Sequence, residues 1–304
     1  MPFMYTRILR GFFFNVGDDM NIFDNWEVWV IIYLISAVIY AHTFKNSNRN
    51  MKNANCLTVL LESFTAFFAF LLIPFFKFSF STNITVYLIF IVLTLIYAVT
   101  DRLNIEARYG LDPSTFSMLK QLSTVFMLIF GFLLLKEEFV LIKFIGALII
   151  LFANLLLTFD KGKIAINKYF IMCFISNFLF AVAMLINTNI SDEFNLAFYT
   201  LITVFIPSLI IRFANKITIK DLKEEYNLYN KKGFLLSAFT WCLMLISSVK
   251  AYQLGNVTIV APLFALTSII NVAIEFFITK NKDKLLQKII SAILLILGVV
   301  LIKL

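Results

Sequence analysis

One histidine (His42), three cysteines and five prolines are all that these 304 residues offer of those types. Cys56, Cys173 and Cys242 stand far apart in apolar runs, so they build neither a disulfide framework nor a metal-ligand spacing. No His-bearing dyad and no paired Asp motif occurs, so metal-assisted and nucleophilic catalysis lack their usual parts; no cofactor or metal is expected. Charge is scarce as well. Asp, Glu, Lys and Arg make up 14% of the chain, against roughly 25% in a soluble domain.

What fills the space is apolar. The chain is 61% hydrophobic with 36 Phe and a mean hydropathy of +0.90. So much apolar surface cannot be hidden in one water-soluble core, and the solvent it demands is a lipid bilayer. The net charge of +8 lies in short loops between apolar runs, which argues against a nucleic-acid partner. Arg7 and Arg10 precede only a short Phe12–Phe14 cluster before Asp18 and Asp19, unlike a signal peptide. Met20 is a second candidate start, so residues 1–27 read as an N-terminal extension.

A helical span needs roughly 17–25 mostly apolar residues. Ten such runs are predicted, at about 28–44, 55–76, 84–107, 113–135, 140–159, 166–188, 194–213, 233–253, 256–279 and 285–303. They are continuous rather than alternating with period two, which predicts helices and not a barrel. The longest connection, Arg212–Lys232, has the charge pattern of a brief amphipathic surface helix. Sliding the chain over itself by 144 residues superposes Leu122-Ser-Thr-Val-Phe126 on Leu266-Thr-Ser-Ile-Ile270, and pairs Ala107 with Ala251 and Lys136 with Lys280. The expected fold is therefore an all-α membrane protein with ten transmembrane helices in two five-helix repeats, 28–159 and 166–303. An odd number of spans per repeat inverts the second relative to the first.

Two runs carry a likeness. One is Gly110-Leu-Asp-Pro-Ser-Thr-Phe-Ser-Met-Leu-Lys-Gln-Leu-Ser-Thr-Val-Phe126 with Leu133-Leu-Leu-Lys-Glu137. The other is Ala251-Tyr-Gln-Leu-Gly-Asn-Val-Thr-Ile-Val-Ala-Pro-Leu263 with Ile296-Leu-Gly-Val-Val-Leu301. Both halves resemble the EamA-type repeat of the drug/metabolite transporter superfamily. That resemblance implies ten helices and secondary transport of small organic solutes, without a specific substrate. It departs from the family pattern at Asn281, which stands where the first half has Glu137. The expected setting is a bacterial cytoplasmic (inner) membrane, as a monomer or homodimer.

Of the 26 Lys and Arg, 18 fall in the loops after odd-numbered spans or in the ends of the spans that flank them. The positive-inside rule then places those loops in the cytoplasm and both termini outside.

Polar residues inside the spans mark the candidate site. Thr94, Tyr97, Asp101, Asn104 and Arg108 share one face of a helix, and the offset positions in the second half are Trp241, Leu245, Ser248 and Tyr252. Lipid would penalise such a stripe, so it should face a cavity. Lys120 and Gln121 lie beside a second polar face, Glu62 interrupts another span, and Asp101 and Glu275 approach the same leaflet. Arg102 and Glu106 form an i,i+4 pair. Three readings are open for Lys120: a snorkelling side chain, a structural pair with Glu62, or part of a substrate or proton site.

The leading expectation is a proton-coupled or exchanging carrier of a small polar metabolite, amino-acid-like or an organic anion. Lys120, Gln121, Tyr97, Asn104, Trp241, Ser248, Tyr252 and Asn177 would bind the solute. Glu62, Asp101 and Glu275 are the candidates for exchanging a proton. One alternative is a nucleotide-sugar or sugar-phosphate antiporter, which needs several cations for its phosphates. The other is an integral-membrane transferase.

Overall fold

The computed structural model describes residues 22–48, 50–110, 119–120, 122–133, 140–158, 168–264, 266–267, 270–271, 273–274 and 285–303. Among the described residues all regular structure is helical. The helices are α1 (Trp26–Ser47), α2 (Ala54–Leu72), α3 (Ile84–Gly110), α4 (Leu122–Leu133), α5 (Leu141–Thr158), α6 (Lys168–Ile190), α7 (Leu196–Ala214), α8 (Ile219–Tyr226), α9 (Lys231–Leu254), α10 (Val257–Phe264) and α11 (Leu285–Lys303). Six of them, α1, α2, α3, α6, α7 and α9, are long and apolar enough to cross a bilayer. The all-α membrane fold expected from the sequence is thus present.

Local sequence sets the helix ends. Asn25, Asn53, Asn195 and Asn230 each accept a backbone N–H from the first turn that follows, as N-cap residues do. Thr218 and Asp221 cap each other reciprocally at α8, the amphipathic surface helix between α7 and α9. Pro207 sits inside α7 and cannot donate to the Thr203 carbonyl one turn back.

The lipid side is legible on α3. Leu88, Ile91, Val92, Leu95 and Val99 are exposed, while Phe90, Leu93, Thr94, Tyr97 and Ala98 are buried. A helix with apolar residues on its outer face and polar ones within is the reverse of a soluble one, and it fits a hydrocarbon solvent.

The principal contacts run α1 with α9, α3 with α6, α2 with α7, α5 with α11, α4 with α6 and α10, α10 with α1, α2 with α9, and α3 with α7. If α8 is left out and each helix is exchanged with the one five places along, each of these contacts has a counterpart in the set, whereas the smaller α6–α9 and α5–α10 contacts have none of like size among the described residues. The α1–α9 contact becomes α6–α3, and α2–α9 becomes α7–α3. At α5–α11, a Cβ added to Gly298 would meet the Gly146 carbonyl oxygen at 2.7 Å and Ile150 Cγ1 at 2.6 Å. The absent side chain of Gly298 is what lets α11 come this close to α5.

The α7–α9 connection is fastened to the start of α2. The buried Glu225 at the end of α8 accepts the backbone N–H groups of Lys52 (2.8 Å) and Asn53 (3.3 Å) and the Tyr229 hydroxyl (2.8 Å), all on Oε1. Nearby, Asn55 accepts from Arg102 Nε at 3.0 Å and donates to Asn215 at 3.0 Å. Glu106 pairs with Lys168 at 3.7 Å. The expected Arg102–Glu106 pair is therefore corrected: each residue is drawn to a partner on a neighbouring helix, a contact that i,i+4 spacing cannot reveal. At the opposite ends of the helices, Asn195 donates to the Ile73 and Phe76 carbonyls (3.1 and 3.0 Å), Gln253 to Ser191 (2.8 Å), and Ser81 to Glu193.

Candidate functional site

A cavity of about 260 Å³ lies between the helices, lined from α1, α3, α4, α6, α7, α9 and α10. Its walls follow from helical phase. Tyr97, Asp101 and Asn104 reach it from α3, and Trp241, Leu245, Ser248 and Tyr252 from α9. These are the two offset-matched stripes of the sequence, one charged and one uncharged with two aromatic rings. Lys120 and Ser123 enter from the start of α4 and the residues before it, Thr200 and Thr203 from α7, and Thr267 and Asn271 from beyond α10. The α7 wall was not expected; its Tyr199, Thr200 and Thr203 are ordinary-looking residues in an apolar run.

Charge collects at one end. The Lys120 ammonium sits 4.6 Å above the Phe180 ring, a favourable place for a cation. Its charge acts on Asp101, and Asp101 is also the carboxyl neighbour of Glu62. Glu62 is fully buried in α2, and Asp101 is the group nearest to serving its carboxyl oxygens as a partner. Asp101 is thus a charged neighbour of both Glu62 and Lys120. Depth along the sequence gathers all three in one leaflet. Two amide oxygens on the cavity wall, Asn104 Oδ1 and Asn271 Oδ1, are buried and unpartnered.

Asn177 departs from its expected role. It has no exposure and does not line the cavity; its amide donates to the Leu119 carbonyl at 3.0 Å and the Cys173 carbonyl at 2.8 Å, tying α6 to the chain just before α4. Gln121 and Glu275 lie outside the described residues, as do Asn281 and Glu137.

Two cavity residues went unrecognised in the sequence. Asn187 of α6 donates to the Tyr97 oxygen, and the Tyr199 hydroxyl of α7 donates to Asn187 Oδ1. One signal pointed to Asn187: a carboxamide in an apolar span requires partners. Outside the spans, burial and the adjacent Glu225 charge push the Tyr229 hydroxyl well above the ordinary tyrosine range. Hydrogen bonds from Thr218 hold the Asp221 carboxyl below the usual carboxylate range.

Comparison with known proteins agrees with this architecture. Residues 27–159 match the model of the EamA-like transporter family, a likeness consistent with the drug/metabolite transporter superfamily. A solved structure titled "Crystal structure of protein" superposes with a TM-score of 0.66 at 10% identity, covering 91% of this chain and 98% of that one. At that identity the likeness speaks for the fold. No curated protein matches the sequence.

Proposed function

We propose that this chain carries a small polar organic solute, amino-acid-like or an organic anion, across the bilayer by alternating access, with proton movement or exchange as the driving force. The cavity's pairing of one cation with one carboxylate carries the reading: Lys120 and Asp101 are the charged residues among the described lining. Lys120 acts as a point charge for a solute carboxylate, and Asp101 faces a solute amino group. Tyr97, Asn104, Trp241, Ser248 and Tyr252 orient the solute by hydrogen bonds and stacking. Glu62, one step behind Asp101, takes up and releases the proton as the cavity changes its access to water.

The cavity, at about 260 Å³, falls just below the roughly 300–1,000 Å³ of common ligand sites. That favours a compact solute over a nucleotide sugar, whose phosphates would also want more than one cation. Two inverted five-helix units, supported by the exchange pattern of the helix contacts, supply the two-state element that alternating access requires.

The test is counterflow of a ¹⁴C-labelled L-amino-acid mixture into proteoliposomes preloaded with the unlabelled mixture. Wild type is expected to accumulate label, Lys120→Ala to lose at least ten-fold, and Glu62→Gln to keep exchange while losing its response to an imposed pH gradient. Normal transport by both variants, correctly inserted, would remove the site assignment.

A further inference from the structure

The network around Asn187 assigns hydrogen-bond direction at the uncharged end of the cavity. Asn187 is 2% exposed and its carboxamide touches three groups: the Tyr97 oxygen, the Tyr199 hydroxyl and Met184 Sδ at 3.3 Å. A thioether sulfur only accepts, so the amide atom facing it is nitrogen, and the carboxamide is fixed with Nδ2 toward Met184 and Tyr97. Both of its N–H groups are then used, and Oδ1 is filled by the Tyr199 hydroxyl. Tyr97 accepts from Asn187, so its own hydrogen must point elsewhere. The partner it has is Met184 Sδ at 3.7 Å, a weak acceptor that already receives an Asn187 N–H.

We infer that Asn187 is a positioning residue that makes Tyr97 a hydrogen-bond donor to the solute, and so selects solutes with an acceptor oxygen at this level. The chain Tyr199–Asn187–Tyr97 is cooperative: each bond accepted strengthens the next one donated. A solute oxygen displaces the sulfur at little cost. Tyr97 lies one helical turn from Asp101, roughly 6 Å along the axis at ~1.5 Å per residue. The preferred solute therefore carries its acceptor about that far from the group held at Asp101. The inference rests on the proposed carrier function and adds a selectivity that Lys120 and Asp101 do not provide.

Reversing the carboxamide tests it. In Asn187→Asp both oxygens accept, Tyr97 turns its hydrogen onto the new carboxyl, and only lone pairs face the solute. In the same L-amino-acid counterflow assay, Asn187→Asp and Tyr97→Phe are each expected to raise the half-saturating concentration about ten-fold with little change in maximal rate, as loss of one hydrogen bond would. The double variant is expected to match Tyr97→Phe alone, because Asn187 acts through Tyr97. Tyr199→Phe, which removes only the hydroxyl feeding Asn187, should give a smaller rise that vanishes in the Tyr97→Phe background; it serves as the probe should Asn187→Asp not insert. Additive losses in the double variant, or single variants with unchanged half-saturation, overturn the inference while leaving transport intact. A wild type inert in the assay overturns both this inference and the carrier reading.

Discussion

Replacing Glu225 tests how the α7–α9 connection holds the start of α2, the helix that carries Glu62. Three donors converge on Glu225 Oε1: the Lys52 and Asn53 amides and the Tyr229 hydroxyl. Hydrogen bonds to a charged acceptor contribute about 1.5–3 kcal/mol each. The 3.3 Å contact from Asn53 is the weakest of the three. Glu225→Ala should therefore cost roughly 3–5 kcal/mol, part of it from leaving the Tyr229 hydroxyl buried without a partner. At ~2–4 °C per kcal/mol, the apparent melting temperature of the detergent-solubilised protein should fall on the order of 10 °C. Because all three bonds share one oxygen, Glu225→Gln keeps an acceptor in place and loses only its charge, at about 1–2 kcal/mol. Fluorescence-detected size-exclusion after a heating series separates these outcomes. An Ala variant that melts with wild type would show that the latch contributes nothing. A Gln variant as damaged as Ala would mean that shape, not hydrogen bonding, matters there. The latch also has an alkaline limit. Tyr229 titrates above its ordinary range when folded, so its contribution is complete below the unfolded value near pH ~10 and declines above it.

Three further outcomes follow from the same coordinates. Gly298→Ala should lower the melting temperature by several degrees, since about 1–3 kcal/mol of overpacking against the Gly146 carbonyl exceeds the ~1 kcal/mol gained in helix propensity; an unchanged or higher melting temperature would disprove the close crossing. Asp221→Asn should speed amide hydrogen exchange in the first turn of α8 at neutral pH. The same loss should develop in wild type as pH falls through the depressed Asp221 value, because a carboxylate held low when folded stabilises only above that range. Lys223→Cys, on the exposed face of α8, should react with an impermeant maleimide only from the cytoplasmic side of sealed vesicles. Cys56, Cys173 and Cys242 are buried and should stay silent.

The sequence specified much of this architecture because a bilayer enforces simple rules. The run predicted at 84–107 is Ile84–Gly110, 233–253 is Lys231–Leu254, and the charged stretch after Arg212 holds the expected surface helix. Phase on a single helix was readable too: Tyr97, Asp101 and Asn104 share a wall, as do Trp241, Ser248 and Tyr252. What periodicity cannot convey is which neighbour a side chain meets. Arg102 reaches Asn55 rather than Glu106, Asn177 turns onto the Leu119 carbonyl rather than into the cavity, and Asn187 finds two tyrosines from different helices. Each of these is settled by tertiary packing between spans far apart in the chain. The α7 wall was missed for a related reason: Thr200 and Thr203 can satisfy their hydroxyls on their own helix backbone, so their types do not announce a cavity.

The bare contact between α5 and α11 bears on how such a molecule could rock. Where Gly298 leaves no room for a Cβ between α11 and the Gly146 carbonyl and Ile150 side chain of α5, the two helices have little space in which to slide, and a rocking motion would pivot there. Displacement should then grow with distance from the pivot, and paired spin labels flanking it should hold one separation while labels at the far rim broaden into two populations.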